Sequence, residues 1–166
     1  MTLVRLGDRI TKLLMILAAS WAFVLCFFIL AEIISRAMNV PLHGTKEIVA
    51  NSVVMIVFLQ VGFAVRSRSM LSADFLIAAL GRRTQRYLTA AGFLLGAAFF
   101  LILANGAIEP ALRSFANGEF DGEGSLRVPV WPARFMIIGG SALAAVNYLL
   151  LALVELFGFE IEDLSL

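Results

Sequence analysis

One histidine and one cysteine are all that this chain of 166 residues offers to metals and cross-links. Bis-histidine haem anchors and multi-ligand zinc sites need more ligands than His43 and Cys26 supply, so no metal or other cofactor is expected. No disulfide can close within the chain, and Cys26, set in an apolar run, reads as a packed and inert thiol. Charge is also scarce. Charged residues make up 15% of the chain and the formal net charge is +1, which argues against nucleic acid as a partner. In place of charge stands apolar sequence: 61% of residues are hydrophobic and the mean hydropathy is +0.94, against about 45–50% apolar residues in soluble domains. The expected solvent is therefore a lipid bilayer, and too little polar sequence remains for a separate soluble domain.

A helix needs about 20 apolar residues to cross a bilayer, and four such runs can be read. The expected fold class is an all-α integral membrane protein, a single domain with spans at about 13–34, 47–65, 87–108 and 133–157. The first run follows Arg5, Arg9 and Lys12. It is longer than the apolar core of a secretory signal, so it is expected to be a retained helix and not a cleaved leader. Near its end Glu32 precedes Arg36 by four residues, the favourable order for an ion pair along a helix. That pairing, more than a proton-relay role, accounts for a carboxylate at this position.

Asn39 to Thr45 reads as a turn, broken by Pro41 and Gly44. The second run places Glu47, Asn51, Met55, Phe58 and Gly62 near one helical face, with Gln60 on another. A face carrying polar and small residues is expected to meet protein and not lipid. The chain leaves this run through Arg66 and Arg68. Met70 to Leu80 is apolar but too short to span, so a short amphipathic helix lying in the membrane interface is expected over about 70–81, with Ser72 as its N-cap and Arg82, Arg83 and Arg86 just beyond.

The third run carries Gly92 and Gly96 at the GxxxG spacing that lets helices approach closely. From Glu109 to Pro132 the composition turns to proline, glycine and acid, and a long solvated loop is expected. The fourth run has Gly139, Gly140 and Ala144 as a small-residue face, with Asn147 inside. Basic residues set the expected orientation. Arg5, Arg9, Lys12, Arg66, Arg68, Arg82, Arg83 and Arg86 lie on one side, against Arg36, Lys46, Arg113, Arg127 and Arg134 on the other, which predicts that both termini are cytoplasmic.

Arg36, Pro41 and Glu47, the run into Gly62, Arg66 and Arg68, then Asp74 and the late Val128-Pro129-Val130-Trp131, resemble the small membrane subunit (DctQ type) of tripartite ATP-independent periplasmic (TRAP) transporters. The resemblance spans nearly the whole chain. Where that family often has a histidine four residues before the aspartate, this sequence has Met70. The resemblance implies a non-catalytic subunit in the bacterial inner membrane. Its partners would be a large permease subunit, which carries the substrate and sodium sites, and a periplasmic solute-binding protein, with organic acids as the substrate class. Arg36, Glu47, Asn51, Arg66, Arg68, Asp74, Phe75 and Trp131 are the candidate positions for partner contact or structural support, beside contact with membrane lipid. Two other classes fit less well. A self-assembling exporter needs a carboxylate near mid-helix, whereas Glu32, Glu109 and Glu155 lie near helix ends, and a redox membrane anchor needs histidine ligands. The small subunit of the tripartite tricarboxylate system has similar size and would differ in the large subunit that copurifies.

Overall fold

A computed structural model describes residues 2–40, 44–67, 81–122 and 127–157. The described elements are α1 (Thr2–Ala37), α2 (Thr45–Arg66), α3 (Arg82–Asn117), a two-stranded hairpin of β1 (Phe120–Asp121) and β2 (Val128–Pro129), and α4 (Trp131–Phe157). Among the described residues, four helices are long and apolar enough to cross a membrane. The short amphipathic helix expected over about 70–81 is not borne out. Residues 68–80 lie outside the described residues, and Gly81 is extended (φ −61, ψ 148) immediately ahead of α3.

The helices form a row about the last one. α4 packs against α2 on one side and α3 on the other, while α1 packs chiefly against α2. The pattern of buried residues explains each contact. In α1, Thr11, Ala18 and Leu25 are buried at a spacing of seven, and half-buried Glu32 continues the same line. A seven-residue stripe keeps one seam of a helix facing its neighbour, as in coiled coils. α3 shows the same device more fully. Ala90, Ala97 and Ala111 are buried, Ala104 is partly buried, and Phe93, Phe100, Ala107 and Ser114 fill the alternate line. Lipid tails are as apolar as these side chains, so close backbone approach, and not exclusion of water, is what alanine contributes here.

This seam carries α3 well past the end expected for it. In place of a loop beginning at Glu109, the helix continues through Pro110 to Asn117. A proline inside a helix costs about 3 kcal/mol. That cost is offset where Ala111 buries completely and the Arg134 guanidinium donates to the Pro110 carbonyl at 2.8 Å. The helix then stops at Gly118, whose left-handed backbone (φ 59, ψ 40) lets the Glu119 amide turn back to the Ser114 carbonyl at 2.9 Å. Two antiparallel residue pairs, Phe120 with Pro129 and Asp121 with Val128, form the hairpin that leads into α4.

Candidate functional site

Where α2 and α4 cross, backbones nearly touch. A Cβ on Gly140 would collide with the Phe58 carbonyl oxygen, and one on Gly62 would stand 2.7 Å from Leu143 Cδ2. Glycine at both positions is what allows the approach. The closeness brings Asn147, 6% exposed, into reach of α2, where its Nδ2 donates to the Gly62 carbonyl at 3.0 Å. An amide inside a membrane protein needs such a partner, and a hydrogen bond of this kind contributes about 0.6 kcal/mol on average. Phe58 meeting Gly140, and Gly62 meeting Leu143 and Asn147, show that α2 and α4 run parallel.

α3 and α4 run antiparallel and are tied at three levels. At one end the Arg86 guanidinium donates to the carbonyls of Glu155 and Leu156, placing a cation at the negative end of α4 and satisfying carbonyls that have no helical partner. In the middle, Tyr148 lies over Gly96, where a Cβ would come within 2.9 Å of its ring, and stacks on Phe100 at 5.8 Å between centroids. Gly92, the other half of the expected GxxxG pair, has nothing within 4 Å of where its Cβ would be. The spacing therefore serves one contact instead of two. At the far end Arg134 pairs with Glu119 at 2.7 Å while holding the Pro110 carbonyl. Glu109 and Arg113 pair along α3 beside it. These five residues line a cleft of about 260 Å3. Ser114 and Ser141 are completely buried, and neither hydroxyl meets a hydrogen-bond partner among the described residues.

Those expected site residues that are described do not converge on one place. Arg36 pairs with Glu32 at 2.6 Å, in the predicted i to i+4 order, with the carboxylate side chain 15% exposed. Asn51 turns its amide onto its own helix, donating to the Glu47 carbonyl at 3.1 Å, and both residues are half-buried. Arg66, at the end of α2 where the chain is expected to leave the membrane, is enclosed at 2% exposed, beside the buried Phe63 and Val65. Trp131 is 37% exposed and joins Phe115 and Phe135 in a cluster of edge-to-face rings. Arg68, Asp74 and Phe75 lie outside the described residues. Cys26, expected to be packed, is exposed, since it follows the buried Leu25 around the helix onto the outer face of α1. Over its membrane-crossing part that face is mainly apolar, with Ile16, Phe23, Phe27, Leu30 and Ile34 all exposed. Sequence reasoning missed Arg86, Arg134 and Tyr148. Both arginines act on backbone carbonyls of another helix, which no spacing along the sequence reveals; the recurrence of alanine every seventh residue from Ala90 to Ala111 was the signal that could have placed Tyr148 opposite a close seam.

Four apolar helices in a row, tied through backbone carbonyls and small residues, define a small multi-pass membrane protein. The chain belongs to the DctQ component family of the tripartite ATP-independent periplasmic transporters, whose family model matches residues 25–158. The matched region begins at Leu25 within α1 and runs through α4. No curated protein and no solved structure matches the chain.

Proposed function

We propose that the chain is the non-catalytic small membrane subunit of a sodium-driven transporter for organic acids, binding and scaffolding a large permease subunit that holds the substrate and sodium sites. A periplasmic solute-binding protein delivers the substrate to that assembly. The observation that carries the reading, beside family membership, is the use made of two amides within the apolar spans. Asn51 and Asn147 both donate to helix carbonyls of this chain and so serve its folding, while the other two amides well inside the spans, half-buried Gln60 on α2 and exposed Asn105 on α3, lie on helices that are not principal neighbours.

The outer face of α1 is the surface we assign to the large subunit, since α1 has one principal neighbour among the described elements. Arg36, at the end of that helix, and Glu47 with Asn51, at the start of the next, flank it. Arg66 and Arg68 lead to Asp74 and Phe75, which we assign to the same contact or to its support. The location is the bacterial inner membrane with both termini cytoplasmic. Co-expression with the large TRAP permease subunit, followed by affinity capture and by uptake in proteoliposomes, tests the assignment. Capture of both chains together, with uptake that needs both, is expected; uptake by the large subunit at full rate without this chain would sink it.

A further inference from the structure

Phe115, Trp131 and Phe135 meet edge to face with centroids 5.5 to 6.2 Å apart, and all three rings remain exposed, at 61%, 37% and 39%. Two helices and the hairpin junction build this platform, so it is preformed. The nearby guanidinium groups have partners of their own: Arg113 pairs with Glu109, Arg134 is held by Glu119 and Pro110, and Arg127 lies 4.6 Å over the Phe120 ring.

Two rulers give its height. Along α4, Trp131 stands about 36 Å from Glu155, at ~1.5 Å per residue. The layer of Glu155 and Arg86 marks the opposite end of the α3–α4 pair. A bilayer has a hydrocarbon core of about 30 Å, and about 40–45 Å with its headgroups, so the tryptophan falls in the headgroup zone. The second ruler is α2. Phe58 meets Gly140 with the two helices parallel, and counting back from that contact sets Trp131 within about 3 Å of the height of Glu47, in the first turn of α2. Both rulers place the rings at a boundary between hydrocarbon and water. Aromatic rings at that level, a tryptophan among them, are the chemistry of a membrane interface.

We infer that the Phe115–Trp131–Phe135 platform seats this end of the molecule in the headgroup layer of the bilayer. The occupant of the platform is lipid, not the large subunit. The inference rests on α4 spanning the membrane and is independent of which side the hairpin faces and of what the transporter carries.

The full-length Trp21→Phe variant leaves Trp131 as the single tryptophan. Reconstituted in phosphatidylcholine vesicles, its emission should be quenched about twofold more by lipids brominated near the glycerol end of the chains than by lipids brominated near the chain ends. Aqueous iodide should have little effect. Strong iodide quenching with no effect of brominated lipid would place the ring in water and overturn the inference. A second measurement addresses cover by protein. In the complex with a cysteine-free large subunit, a nitroxide is attached at Ala116→Cys in a Cys26→Ser background, next to the exposed Phe115. Comparable collision with oxygen and with a water-soluble nickel chelate supports the headgroup placement. Protection from both in the complex would show that a protein surface covers the platform, which also overturns it.

Discussion

At the scale of single residues, the structure separates neighbours that the sequence treats alike. Gly139 and Gly140 are adjacent, yet a side chain on the first meets nothing within 4 Å and one on the second meets the backbone of Phe58. Backbone cannot step aside as a flexible side chain can. Gly140→Ala should therefore lower the thermal midpoint of the purified protein, by the equivalent of about 1–3 kcal/mol as in overpacked cores, while Gly139→Ala leaves it unchanged. Equal midpoints for the two variants in a detergent unfolding assay would show that α2 and α4 do not cross as described. Ser141 makes the opposite case. Its buried hydroxyl lacks a partner among the described residues, so Ser141→Ala should hold or raise the midpoint, by up to about 1 kcal/mol. A marked fall would mean that the hydroxyl makes a bond of its own.

Elements were legible to the extent that they depend on local pattern. Each of the four apolar runs lies within a helix, and the Glu32–Arg36 pair follows from spacing alone. The continuation of α3 beyond Ile108 was not legible, because proline and glycine near Glu109 are local signals for a break. What overrides them is tertiary: the alanine seam buries Ala111, and a guanidinium from another helix reaches the Pro110 carbonyl. The same limit explains why the burial of Arg66 within the chain was not legible. A basic residue at a helix end resembles an interface anchor until its neighbours are known. If Arg134 fastens the hairpin to α3 and α4, Arg134→Gln should speed proteolytic nicking of the hairpin severalfold in detergent while the helix content measured by circular dichroism stays constant. Nicking at the unchanged rate would show that strand pairing alone holds it.

At the scale of the whole molecule, the excess of basic residues on one side predicts its orientation. In intact cells carrying Cys26→Ser, Asp121→Cys should react with a membrane-impermeant maleimide and Arg83→Cys should react only after permeabilisation. The reverse pattern would invert the topology. The assignment of ion coupling to the large subunit is tested at Glu47, which is half-buried at the start of α2. Glu47→Gln should preserve sodium-dependent uptake per assembled complex, even where the yield of complex falls. Normal yield with lost sodium dependence would place this carboxylate in the coupling mechanism.

The position of α4 in the row also governs the order in which the molecule can be made. Of the four helices it is the last to leave the ribosome, yet α2 and α3 both pack upon it. Until residues near 131–157 have entered the membrane, α2 has α1 beside it but α3 still lacks its principal neighbour. A nascent chain interrupted at the hairpin would thus hold two unjoined parts, with Gly62 of α2 and the alanines of α3 facing lipid. Such a fragment presents what membrane quality-control proteases act on, loosely associated helices with bare small-residue faces. Premature termination should accordingly yield rapid turnover instead of a stable three-helix remnant.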